Sequence, residues 1–140
     1  MNIKGTIFDI DYPCRIKYKG YTFRNAQAIY QSSKCPSRIE EFVNLNPQEA
    51  KELGRKVFLR DDWEERKYYE MYGVMLAKFV PNDYFKNTQT LDFFNKLLET
   101  WPEEIIYNDE DFYWGCINGS GENKLGKILE DIRDEYYTPF

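Results

Sequence analysis

No histidine occurs among the 140 residues. The one side chain that changes charge near neutral pH unaided is therefore missing, and an acid or base working there must be a retuned Asp, Glu, Lys, Tyr or Cys. Zinc hydrolase chemistry and His-dependent triads are not expected, and a metal would have to rest on carboxylates and thiols alone. Cysteine is scarce as well. Cys14, Cys35 and Cys116 are odd in number and form no CxxC pair, the pattern of reduced thiols in a cytoplasm. Long apolar runs are lacking: Val74-Met75-Leu76-Ala77 meets Lys78 at once, so neither a membrane span nor membrane binding is expected. The start, Met1-Asn2-Ile3-Lys4-Gly5-Thr6, has no apolar segment and does not read as a secretory signal. With 6 Pro and 8 Gly, disordered and collagen-like classes fall away.

What is present suits one packed domain over residues 1–140, since hydrophobic residues make up 42% and charged residues 31%. Charge is uneven. Lys4, Arg15, Lys17, Lys19, Arg24 and Lys34 face Asp9 and Asp11 in the first 36 residues, while the rest is acidic enough to bring the whole to -5. A broad basic face for duplex nucleic acid is disfavoured, and a small anionic ligand on the basic segment is allowed.

Turn and cap signals place the elements. Ile16, Tyr18, Tyr21 and Phe23 around Lys19-Gly20 predict a hairpin, and Asn25 predicts a cap for a helix reaching Lys34. Asn46-Pro47-Gln48-Glu49 predicts a capped helix over 47–53, ended by Gly54. Asp61 and Glu64 have capping-box spacing ahead of a helix to Phe79, with Met71, Val74, Met75 and Lys78 on one side. Lys78 either snorkels, the simpler reading, or enters a pocket. Further helices are predicted over 90–100, with Leu91, Phe94, Leu97 and Leu98 inward, and over 123–135, with Leu125, Ile128, Leu129 and Ile132 inward. Ile105-Ile106-Tyr107 reads as a strand. The fold class is mainly α (α+β), a small helical domain with a few short strands.

Three constellations stand out. Gln27, Gln31 and Lys34 share one face of the first helix, a stripe of amides and a cation suited to a base, sugar or phosphate, or simply solvated. Asp111-Phe112-Tyr113-Trp114-Gly115 precedes Asn118-Gly119-Ser120-Gly121-Glu122-Asn123 and a helix, so Gly121 and Asn123 stand where free N–H groups can meet an anion. Such loops are common, and Phe112 is expected to pack. Arg55, Lys56 and Arg60 precede Trp63, which is either a stacking platform or an anchor for the helix start.

In this order the segments resemble the NADAR family. The resemblance runs through Gly20-Tyr21-Thr22-Phe23, Tyr30-Gln31-Ser32-Ser33-Lys34, Glu49-Ala50-Lys51-Glu52-Leu53-Gly54-Arg55 and Arg60-Asp61-Asp62-Trp63. It continues in Met75-Leu76-Ala77-Lys78-Phe79, Asp111-Phe112-Tyr113-Trp114-Gly115 and Gly121-Glu122-Asn123-Lys124-Leu125-Gly126. The resemblance implies a small helical N-glycosidase needing no metal or cofactor. Its substrate would be an ADP-ribosylated guanine, in a nucleotide or in DNA, or a phosphorylated ribosylaminopyrimidine of riboflavin biosynthesis. It further implies Gln27 and Asp111 at the catalytic centre. Lys34, Lys78 and Arg60 would stand near phosphate or ribose, beside Arg24, Asn25 and Gln31, with Trp63 and Trp114 as walls and Gly121 and Asn123 as donors. Where the family pattern carries a Glu seven residues before Lys34, this chain has Gln27, which also allows a weak or inactive ADP-ribose-binding module. Upstream, Phe8-Asp9-Ile10-Asp11 stands for a Ser-Asn-Phe-like stretch, and Ile106 for a frequent Glu. A scaffold presenting Tyr68, Tyr69, Tyr72, Tyr136 and Tyr137 is the remaining reading.

Overall fold

The computed structural model describes residues 1–82 and 87–138. The chain forms two compact units, one of Ile10–Lys78 and one of Met1–Asp9 with Phe79–Phe140.

In the Ile10–Lys78 unit, β1 (Ile16–Tyr18) and β2 (Tyr21–Phe23) pair antiparallel with Ile16 opposite Phe23. Lys19 and Gly20 turn between them at φ 50° and 84°, the left-handed pair that matches strand twist. Helix α1 (Ala26–Ser32) starts where the Asn25 side chain accepts the Ala28 N–H, and a 3₁₀ segment follows at Pro36–Phe42. Helix α2 (Pro47–Lys56) has the full reciprocal cap: Asn46 Oδ1 accepts from the Glu49 N–H, and Glu49 Oε1 accepts from the Asn46 N–H. Helix α3 (Trp63–Phe79) buries Met71, Val74 and Met75 as the spacing predicts.

Two expectations change in this unit. Gly54 does not end α2, which runs on to Lys56. A methyl group built on Gly54 would overlap Gln31 Oε1 and stand 3.0 Å from its Cδ, so any side chain at this position would displace the end of Gln31 where α2 packs on α1. The second change is α1 itself: it ends at Ser32 and does not reach Lys34, and all seven of its residues are buried, so the amide stripe is an interior feature and not a solvated face.

In the other unit, α4 (Thr88–Glu99) is capped by the Asn87 side chain and packs on α5 (Lys124–Tyr136). Leu125, Ile128, Leu129 and Ile132 are fully buried, each contributing about 1.5–3 kcal/mol against exposure. The stripe of α4 is rotated from expectation. Thr90, Phe93 and Leu97 are buried, while Leu91 is half exposed. Phe93 packs on Phe79, which stacks on Phe8, and these aromatic contacts set the rotation. Ile106 forms a single bridge to Asn2 and no strand, its backbone exchanging hydrogen bonds with Met1 and Ile3.

Candidate functional site

In the Ile10–Lys78 unit, the two amides of α1 form a directed ladder. Gln27 Nε2 donates to Asp11 Oδ1 at 2.9 Å, and Gln27 Oε1 accepts from Gln31 Nε2 at 2.8 Å. A carboxylate accepts only, so Asp11 fixes the orientation of both amides. The last acceptor, Gln31 Oε1, is buried with no hydrogen-bond partner among the described residues. Gln27 also holds the neighbouring backbone, its N–H donating to Ile10 O at 3.0 Å. Asp11 Oδ2 lies 3.6 Å from Lys51 Nζ, and the Asp11 side chain keeps 30% exposure. Asp11 is the residue that sequence reasoning missed as a site. It is far from Gln27 in the chain, and only its place in an upstream stretch differing from the family pattern pointed to it.

Lys34, Arg60 and Trp63 do come together. Lys34 Nζ stands 5.9 Å from the Trp63 ring centroid, and the Arg60 N–H donates to Lys34 O. Burial, and secondarily Arg55, lowers the Lys34 ammonium pKa below its ordinary value. Trp63 is buried and packs on Tyr30 with centroids 5.3 Å apart, so it anchors the start of α3. Arg60 is held by both oxygens of Asp62 and by Glu70 Oε1 at 3.2 Å. Lys78 is 1% exposed, which rules out snorkelling, and its charge acts on Cys14, whose thiol burial pushes up in pKa. Asn25 uses its amide for the α1 cap and for Leu45 O, while Arg24 is exposed.

In the other unit, Asp111 is exposed, and its Oδ1 accepts the N–H groups of Tyr113 and Trp114, holding the loop. Trp114 is buried edge-on to Tyr113, and Phe112 is 64% exposed, contrary to expectation. The anion site expected at the start of α5 is already filled. The N–H groups of Glu122, Asn123, Lys124 and Leu125 donate to the carbonyls of Phe112, Gly115, Tyr113 and Trp114. Gly121 sits at φ 129° with its pro-Cβ position against Gly115 O and Cys116, and the Asn123 side chain bridges Tyr107 N and Ile105 O. Among the described residues no group of three His, Cys, Asp or Glu could hold a metal ion.

The Ile10–Lys78 unit thus holds a ladder of two buried amides ending on the carboxylate of Asp11, with Lys34 and Arg60 in the same unit. The NADAR domain model matches residues 2–136, and the chain belongs to the NADAR family. It is 28% identical over 127 residues to a riboflavin biosynthesis protein of Vibrio vulnificus, covering 89% of this chain and 34% of that protein. It is 29% identical over 127 residues to the N-glycosidase YbiA of Shigella boydii, covering 86% of this chain and 74% of that one. The NMR structure of the Escherichia coli protein YbiA matches with a TM-score of 0.75 at 26% identity, over 92% of this chain and 76% of the other. The aligned stretch is thus about a third of the length of the Vibrio protein.

Proposed function

We propose that this protein hydrolyses the N-glycosidic bond of a ribosylated base, with ADP-ribosylated guanine, in a nucleotide or in DNA, as substrate. The observation that carries the reading is the Gln31–Gln27–Asp11 ladder, two buried amides ending on a half-buried carboxylate, in a member of a family whose relatives include N-glycosidases. Cleavage passes through an oxocarbenium-like sugar, which needs nearby negative charge and an oriented water and needs no cofactor. Gln27 orients polar partners. Lys34 and Lys78 are the cations for phosphate or ribose, and Arg24, Gln31, Arg60, Trp63 and Asn25 frame the ligand within the Ile10–Lys78 unit. In the other unit, Asp111, Trp114, Gly121 and Asn123 shape the loop ahead of α5. The protein works in the cytoplasm, as its free Cys14, Cys35 and Cys116 favour, and among the described residues no helix is long and apolar enough to cross a membrane.

Release of ADP-ribose from ADP-ribosylated guanosine, measured against a buffer blank and against a phosphorylated ribosylaminopyrimidine, tests this. Release from the first substrate alone supports guanine specificity, and release from the second alone assigns a riboflavin-pathway role, which the name of the Vibrio relative favours. The amide at position 27 favours a second reading, a module that binds ADP-ribose without cleaving. Binding by calorimetry with no release from either substrate would replace the first reading by the second.

A further inference from the structure

The N-glycosidase reading requires a group to take the proton of the attacking water, and Gln27 cannot do so because an amide is not a base near neutral pH. The residue that Gln27 holds can. We propose, resting on that reading, that Asp11 is the catalytic base of this chain. Gln27 grips the segment twice, through its N–H on Ile10 O at 3.0 Å and its Nε2 on Asp11 Oδ1 at 2.9 Å, so the carboxylate is fixed against α1.

The direction of the ladder supports the assignment. Turning Gln27 over would set carbonyl against carboxylate and donor against donor, and turning Gln31 over would set carbonyl against carbonyl. The orientation present keeps every donor pointed toward Asp11, and its cost is a buried Gln31 Oε1 with no partner among the described residues. Oriented polar groups of this kind, held before substrate arrives, are what a charge-stabilising site is built from. Gln27 and Gln31 are buried while the Asp11 side chain is 30% exposed, so the ladder runs from the interior to a carboxylate that water and ligand can reach. Position 27 is then matched to position 11. An amide complements a carboxylate at 2.9 Å, whereas a second carboxylate there would oppose it.

In the reaction the C1′–N bond breaks with its electron pair passing to the base nitrogen, and a water oxygen bonds to C1′. One proton of that water passes to Asp11 and is returned to the departing nitrogen, so the net change is the addition of one water and the carboxylate is regenerated.

The test uses the full chain with ADP-ribosylated guanosine in single turnover and ADP-ribose in calorimetry. Asp11→Asn keeps an acceptor for Gln27 Nε2 and removes the base. Release should fall by about 10²-fold or more, with ADP-ribose affinity and melting temperature unchanged. The double variant Asp11→Asn with Gln27→Glu returns a carboxylate one hydrogen bond away and should release faster than Asp11→Asn alone. Release by Asp11→Asn at the wild-type rate would overturn the assignment. So would joint loss of affinity and stability with no recovery in the double variant, which would make Asp11 a structural residue. Absence of release by the wild-type chain would defeat the N-glycosidase reading itself, and this assignment with it.

Discussion

Replacing Gln27 by Glu on its own sets a carboxylate against Asp11 at the distance now spanned by a hydrogen bond of 2.9 Å. Two full charges at that separation repel by about 6 kcal/mol at an effective dielectric near 20. Proton uptake is the easier escape. Keeping the introduced carboxyl protonated costs about 1.4 kcal/mol for each pH unit above its ordinary value near 4.3, or about 4 kcal/mol at pH 7. The smaller figure wins, and the protonated Glu can donate to Asp11 Oδ1 while still accepting from Gln31, so the geometry is kept. The folded variant therefore binds a proton that the unfolded chain releases, and its stability falls as pH rises. Below the ordinary carboxylate range both states are protonated and the deficit vanishes. Lys51 at 3.6 Å from Asp11 Oδ2 trims the penalty. Urea unfolding, followed by the fluorescence of Trp63, Trp101 and Trp114, should show a deficit against wild type of about 1 kcal/mol at pH 5, widening to about 2–4 kcal/mol at pH 7. Equal stability at both pH values, or a deficit that narrows as pH rises, would refute the ladder as drawn.

Gly54→Ala should cost about 1–3 kcal/mol in urea unfolding, because the new methyl overlaps the buried end of Gln31 and its displacement disturbs the hydrogen bond from Gln31 Nε2 to Gln27 Oε1. Asn123→Ala removes the acceptor for Tyr107 N and the donor to Ile105 O, both buried, and should destabilise by about 2 kcal/mol or more; an effect on ligand affinity with unchanged stability would contradict that role. Cys14, buried and raised in pKa by desolvation, should react with a thiol reagent at pH 8 only on unfolding, whereas the half-buried Cys35 and Cys116 should react in the native state.

Much of the fold was legible in the chain. The cap at Asn25, the reciprocal pair Asn46 and Glu49, the Lys19-Gly20 turn and the stripe of Leu125, Ile128, Leu129 and Ile132 all depend on partners within a few residues. Short-range signals fail where distant chain decides. The 3.6-residue period on α4 allowed Leu91 to face inward, but contact between Phe93 and Phe79 turned it outward. The glycine-rich loop and helix start looked like open donors, and carbonyls of Phe112, Tyr113, Trp114 and Gly115 fill them.

The same division holds for the site. Sequence alone determined that Gln27 and Gln31 share one side of a helix, because helical geometry places residues four apart together, whereas α1 ends at Ser32 and leaves Lys34 beyond it. Whether that side meets water or interior depends on segments brought in by the fold. Only the tertiary structure decided that α1 is buried throughout, that Gly54 must yield space to Gln31, and that Asp11, sixteen positions before Gln27, sets the direction of the amides. A hydrogen bond between residues so far apart leaves no periodic trace in the chain, since its partners are chosen by packing and not by spacing.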